Sequence, residues 1–160
     1  MIIDLRNIKK LIISILIPLI VGGLSSYITM DSMELYNNLI KPSFAPPDYT
    51  FKVVWPILYV LMGIASYRVW KYGDDRKQVK SALVFYSMQL ILNFMWPIIY
   101  FKLGLRGFAL IEIILLLLFV IITTIKFYKI DKISGYLMGL YLIWLLFATV
   151  LNYYTWILNK

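Results

Sequence analysis

The amino-acid sequence predicts an all-α membrane protein, a five-transmembrane-helix bundle with a Pro-rich lid loop between helices one and two. Three observations predict it. Hydrophobic residues make up 62% of the 160-residue chain and mean hydropathy is +0.81, whereas a soluble domain is nearer half apolar. The apolar residues gather into five runs with few or no charges, near the ~20 residues that an α-helix needs to cross the hydrocarbon core. Lysine and arginine gather at the ends of these runs, mostly on one side. A single domain over residues 1–160 then holds helices at about 8–30, 51–72, 78–102, 105–128 and 132–158.

The first run, Leu11–Met30, is uncharged and follows Arg6, Lys9 and Lys10, the pattern of a signal peptide. Its length and the lack of an Ala-x-Ala site favour a retained helix. Its Gly22-Gly23 pair permits close approach of a ligand, with ordinary helix contact as the simpler explanation. The segment Asp31–Lys52 follows. Asp31 and Ser32 can cap a short helix through Leu39, with Glu34 near its positive end. Pro42, Pro46 and Pro47 then impose an extended path. Leu35, Tyr36, Leu39, Ile40, Phe44 and Tyr49 carry too much apolar surface for a free linker, so the segment is read as a lid packed on the helix ends.

The second run, Val53–Tyr67, is short, but Arg68 can snorkel and let Val69 and Trp70 complete the span. Pro56 is placed in the first turn of this helix, where its missing N–H is harmless. In the third run, Ser81–Phe101, Pro97 removes a hydrogen bond to the Asn93 carbonyl and should kink the helix. The fourth, Gly107–Ile125, is interrupted only by Glu112. The fifth, Ile133–Asn159, carries Gly135-x-x-x-Gly139, a spacing suited to tight helix packing.

Of the 16 basic residues, eleven fall on one side: Arg6, Lys9, Lys10, Arg68, Lys71, Arg76, Lys77, Lys80, Lys126, Lys129 and Lys132. Lys41, Lys52, Lys102, Arg106 and Lys160 fall on the other. The positive-inside rule places the N-terminus in the cytoplasm and the C-terminus outside. The net charge of +8 is thereby explained by a lipid bilayer and not by nucleic acid. The chain has neither cysteine nor histidine. That excludes disulfides, thiolate chemistry, zinc sites built on Cys or His, His-ligated haem and Ser-His-Asp catalysis.

The unusual residues converge on the end of the bundle beneath the Pro-rich loop. Gly22 and Gly23 lie in that half of helix one, Trp55 at the start of helix two, and Asn93 and Trp96 near the end of helix three. Phe108 and Glu112 open helix four, and Trp144, Ala148, Leu151 and Asn152 share one face of helix five. An unpaired amide in hydrocarbon costs ~2–7 kcal/mol, so polar side chains here face the bundle interior or a cavity. Simpler explanations stand beside each: interfacial belt for Trp55, core packing for Trp144, an Asn93–Asn152 hydrogen bond, and Glu112 either neutral or paired with Lys102 or Arg106. Tyr153, Tyr154 and Trp156 are assigned to the interfacial belt.

Six stretches in order resemble the translocator protein/tryptophan-rich sensory protein (TspO/MBR, peripheral-type benzodiazepine receptor) family. They are Gly22-Gly23, KPSFAPP at Lys41–Pro47, VWPILYVLMGIASYRVW at Val54–Trp70, LNFMWPIIYF at Leu92–Phe101, GFALIEIILLL at Gly107–Leu117 and YLIWLLFATVLNYYTW at Tyr141–Trp156. The resemblance implies a five-helix bundle whose cavity is capped by the first loop and binds porphyrin-type tetrapyrroles. It extends to benzodiazepine-type synthetic ligands and to a homodimer, and brings no resident cofactor or metal. Trp55 and Trp144 match the two cavity tryptophans linked to porphyrin breakdown in light; Asn93, Trp96, Ala148 and Leu151 match other pocket positions. With Gly22, Gly23, Pro42, Phe44, Pro47, Phe108, Glu112 and Asn152 they form the candidate site. Three positions depart from the family pattern: Phe44 and Phe108 replace its usual tryptophans, and Glu112 its usual aspartate. Ile157 stands where vertebrate members carry the arginine of their cholesterol motif, so sterol binding is not expected.

Three functions compete. The first is a receptor or carrier for tetrapyrroles. The second is oxidative porphyrin breakdown in light with Trp55 and Trp144 as electron donors, and the third is a structural or regulatory membrane protein with no small ligand.

Overall fold

A computed structural model describes residues 5–73 and 76–160, with the side chains of Leu5 and Arg6 left aside. Helix α1 spans Leu5–Thr29 and runs through a 3₁₀ turn, Met30–Ser32, into the short α2, Met33–Asn37. After an irregular stretch come α3 (Asp48–Trp70) and α4 (Lys77–Pro97), the latter continued by a π-helical turn at Ile98–Lys102. Helices α5 (Arg106–Ile130) and α6 (Lys132–Leu158) complete the chain. Five segments are long and apolar enough to cross a membrane: Asn7–Asn37, Asp48–Trp70, Lys77–Lys102, Arg106–Ile130 and Lys132–Leu158. The protein is an integral membrane bundle, with no strand among the described residues.

Apolar side chains face both ways on these helices. Ile12, Leu16 and Ile20 of α1, Ile111, Leu115 and Leu118 of α5, and Ile143, Leu146 and Val150 of α6 are all exposed. A helix that is apolar all round suits lipid outside and core inside. The core between α3, α4, α5 and α6 is built on Met62, Ala65, Val69, Ala82, Val120, Phe127, Met138, Tyr141 and Leu145. Helix α1 packs mainly on α3, and the chain-adjacent helices α4, α5 and α6 pack successively.

Glycines set the closest approaches. A Cβ on Gly63 would lie 2.6 Å from the Ile15 Cα and 2.7 Å from the Ser14 carbonyl oxygen, so α3 meets the α1 backbone there. Of the two glycine pairs read from the sequence, one member of each is tight. A Cβ on Gly22 would run into the Tyr59 ring, and one on Gly135 would lie 2.5 Å from the Tyr128 Cβ. Gly23 and Gly139 have open space beside them.

Several local expectations need correction. Helix α3 begins at Asp48, so Pro56 lies well inside it and not in its first turn. Pro18 is a second interior proline, in α1. At Pro97 the irregularity is a change of winding, with the Leu103 N–H donating to the Ile98 carbonyl at 2.9 Å. Ser32 makes no side-chain capping bond to α2, which ends at Asn37. The side-chain cap that does form is on α6, where Asp131 accepts from the Ser134 N–H at 2.8 Å.

The end of the bundle at Asp131 is closed by charge. Arg68 Nε donates to Asp131 Oδ2 at 2.7 Å and Arg68 Nη2 to Oδ1 at 2.9 Å, tying α3 to the α5–α6 turn through a bidentate pair. Ser134 Oγ donates to the same carboxylate at 2.7 Å. The Arg68 hydrogen bonds, opposed by desolvation and assisted by Ser134, hold the Asp131 carboxyl well below the usual carboxylate range.

Candidate functional site

At the other end the bundle is hollow. A cavity of about 760 Å³ falls within the size range of small-molecule sites. All five long helices and α2 contribute to its wall. Helix α1 and its 3₁₀ extension line it with Gly22, Gly23, Ser25, Ser26 and Thr29, between Leu19 and Met30. Helix α3 supplies Phe51, Lys52, Trp55 and Tyr59; the first two lie four and three residues before Trp55 and Tyr59 four after it, so they flank one face. Trp96 and Tyr100 stack with ring centroids 4.9 Å apart, and both line the cavity beside Asn93. Ala148, Leu151 and Asn152 of α6 complete the wall with Ile113 and Leu116 of α5.

The amides in this wall are anchored inside the protein. The Tyr59 hydroxyl donates to Asn93 Oδ1 at 2.7 Å, and Asn93 Nδ2 donates to the Tyr141 hydroxyl at 2.7 Å. One asparagine thus joins α3, α4 and α6. Trp96 Nε1 donates to Asn152 Oδ1 at 3.0 Å, while Asn152 Nδ2 donates to the Arg106 carbonyl at 3.1 Å. The two asparagines are therefore not bonded to each other, and each holds its own set of helices. The Ser25 hydroxyl donates to the Phe94 carbonyl at 3.0 Å, fixing α1 on α4. Each bond removes the penalty of a bare polar atom in an apolar medium and fixes which way the aromatic faces point.

Of the sequence-derived candidates, Gly22, Gly23, Trp55, Asn93, Trp96, Ala148, Leu151 and Asn152 come together on the cavity wall. Trp144 packs edge-on against Phe51, ring centroids 5.8 Å apart, and at a tilt against Phe147 at 5.4 Å. Phe51 lines the cavity and Trp144 stands behind it. The Trp144 indole N–H is buried without a hydrogen-bond partner. Phe108 is 66% exposed and points away from the bundle. Glu112 is buried with neither carboxylate oxygen bonded, so it does not pair with Lys102 or Arg106.

Pro42, Phe44 and Pro47 belong to the segment between α2 and α3 and are not on the cavity wall. This segment is nonetheless tied down at three points. Phe44 meets Tyr154 and Phe147 of α6 edge-on, at 5.4 and 6.4 Å. The Ile40 N–H donates to Asn159 Oδ1 at 3.0 Å, and Asn159 Nδ2 returns a bond to the Ile40 carbonyl at 2.8 Å. Lys41 Nζ pairs with Asp48 at 3.1 Å and lies 4.2 Å over the Tyr36 ring. Tyr36 and Asp48 both edge the cavity.

Sequence reasoning missed Tyr59, Phe51, Lys52, Tyr36 and Tyr100 as wall residues. The signal for the first three was present: they sit one turn to either side of Trp55 on the face it defines.

The fold and this wall define a class: an integral membrane helical bundle enclosing an aromatic cavity at one end. Residues 14–157 match the TspO/MBR family, and the chain belongs to it. The tryptophan-rich protein TspO of Archaeoglobus fulgidus is 39% identical over 155 residues, covering 96% of this chain and 99% of that one. The human translocator protein is 36% identical over 133 residues, 82% of this chain and 79% of its own. The tryptophan-rich sensory protein of Cereibacter sphaeroides is 36% identical over 126 residues, 79% and 77% of the two chains.

Proposed function

We propose that the protein is a membrane receptor or carrier that binds porphyrin-type tetrapyrroles in this cavity. The observation that carries the reading is the wall itself. Trp55, Trp96, Tyr36, Phe51 and Tyr100 offer flat aromatic faces, while Asn93 and Asn152 have donor and acceptor already engaged. A flat, largely apolar ring gains stacking of ~0.5–1.5 kcal/mol per aromatic face beyond its burial and displaces few committed polar partners. Benzodiazepine-type ligands would use the same faces. The segment between α2 and α3 is the lid: its Lys41–Asp48, Phe44–Tyr154 and Ile40–Asn159 contacts must yield for a ligand to enter from the aqueous side. The N-terminus is cytoplasmic and the C-terminus outside on this reading, and the protein assembles as a homodimer.

Titration of protoporphyrin into the reconstituted protein tests the proposal through quenching of tryptophan fluorescence. Saturable quenching is expected, with Ala148→Leu weakening it by filling the wall. Trp55→Phe should weaken binding more than Trp144→Phe, because Trp55 touches the cavity and Trp144 does not. No saturable quenching in the wild type would leave a structural or regulatory membrane protein.

One arrangement favours the light-driven breakdown reading as a second function. Trp55 lies 5.7 Å from the Tyr59 ring and 6.3 Å from the Tyr141 ring, and these two phenols bracket Asn93. An oxidised Trp55 would have two oxidisable neighbours. Under illumination at matched occupancy, Trp55→Phe should then slow loss of porphyrin absorbance; an unchanged rate would leave binding alone.

A further inference from the structure

The cavity's α3 face runs from charge to aromatic. Asp48, Lys52, Trp55 and Tyr59 all edge the cavity at helical spacing, so Lys52 sits about 4.5 Å nearer the loop end than Trp55 along the helix axis. Asp48 is already paired with Lys41 at 3.1 Å. Lys52 is exposed, and no acidic side chain pairs with it among the described residues. The Asn93 and Asn152 amides are bonded within the protein, as are the Ser25 and Thr29 hydroxyls. Of the charged groups edging the cavity, that leaves one unpaired ammonium at the mouth, above a largely apolar, aromatic interior that also carries the Ser26, Tyr36 and Tyr100 hydroxyls.

We propose that Lys52 anchors an acidic group on the edge of the ligand, so that the cavity selects a flat apolar ring system bearing a carboxylate over its neutral counterpart. The inference rests on the reading of the cavity as a tetrapyrrole site and adds the orientation: carboxylate toward the loop end, ring plane between Trp55 and Trp96. A mobile, strongly hydrated ammonium suits this role, because it can follow the carboxylate at the mouth without being buried. The neighbouring Lys41–Asp48 pair cancels its own charge and leaves the mouth cationic.

The test compares protoporphyrin with its dimethyl ester, bound to wild-type protein and to Lys52→Met, Lys52→Arg and Lys52→Glu in zwitterionic lipid nanodiscs. Forming the ratio of diacid to diester affinity, and then the ratio between variants, cancels differences in partitioning into lipid. Lys52→Met should lose roughly three- to tenfold in diacid affinity, as for a partly exposed charge pair, with diester affinity unchanged. Lys52→Arg should retain the preference and Lys52→Glu should lower diacid affinity further. Equal effects on both compounds, or none on either, would overturn the anchor and leave Lys52 a lysine serving the bilayer surface, with tetrapyrrole binding intact. Failure of the wild type to bind either compound would overturn the tetrapyrrole reading, and the anchor with it.

Discussion

At the Asp131 end of the bundle a formally charged pair is sunk between helices; at the loop end neutral amides do the corresponding work around an empty space. Arg68 and Asp131 meet in two bonds of 2.7 and 2.9 Å, and Ser134 adds its N–H and its hydroxyl as further donors to the carboxylate. Beneath them Met62, Val69, Phe127 and Met138 are completely buried. At the loop end, Asn93 and Asn152 each tie several helices through bonds of 2.7–3.1 Å and leave about 760 Å³ between them. The difference teaches how one bundle can be rigid and hollow at once. Charge closes the end that needs no access. Amides, which lose less on desolvation than ions, hold the walls apart where a ligand must pass.

Three substitutions test that contrast, in order of expected effect. Arg68→Ala should cost most, about 3 kcal/mol, because it takes the counter-charge from a buried carboxylate and leaves it only the neutral donors of Ser134 and Tyr72; thermal unfolding in detergent measures it. The same pair sets a pH dependence. Asp131 is held low in the folded protein, so its contribution is complete above the unfolded carboxylate pKa of about 4. It is lost as pH falls from there toward the lowered native value. In Arg68→Ala this acid-sensitive component should largely vanish, and a wild-type-like acid profile in the variant would locate the sensitivity elsewhere.

Asn93→Leu comes second. It leaves the Tyr59 and Tyr141 hydroxyls without their shared partner, at about 2 kcal/mol. Unlike Arg68→Ala it should also alter ligand affinity, since Asn93 is part of the wall. If the two variants affect binding equally after correction for stability, the division of labour between the ends is wrong. Phe108→Ala comes last. Its side chain is 66% exposed toward lipid, so stability should change by less than about 0.5 kcal/mol and ligand titrations should overlay those of the wild type.

The spans were legible because four of the five apolar runs are long, the short second one ends on a residue that can snorkel, and the flanking charges are sharp. The convergence of Gly22, Trp55, Asn93, Trp96, Ala148 and Asn152 on one end was legible because helical spacing and membrane depth together locate a residue. Partners were not. Tyr59 and Tyr141 read as apolar bulk in sequence, yet their hydroxyls decide what Asn93 does. Gly63, where α3 meets the α1 backbone, carries no doublet or repeat to mark it. Trp144 does lie on the last helix, but periodicity cannot show that Phe51 packs against it. The start of α3 was set too late because Asp48 to Thr50 looked like loop, although Pro47 before them is well suited to the entry of a helix.

The π turn at Ile98–Lys102 has a consequence for winding phase. An ordinary α-helix advances 100° per residue, and the Ile98-to-Leu103 hydrogen bond closes a loop one residue wider than an α turn. Trp96 and Tyr100 lie four residues apart and stack as neighbours on one helix face, and the wider loop leads the chain on to the Arg106 carbonyl that meets Asn152. Deleting one residue between Ile98 and Lys102 would restore even winding and turn everything beyond it by about a quarter to a third of a circle relative to Trp96. The helices would still span, but the Arg106–Asn152 amide latch would fall out of step with Trp96, so the length of this turn is as much a part of the cavity as any side chain on its wall.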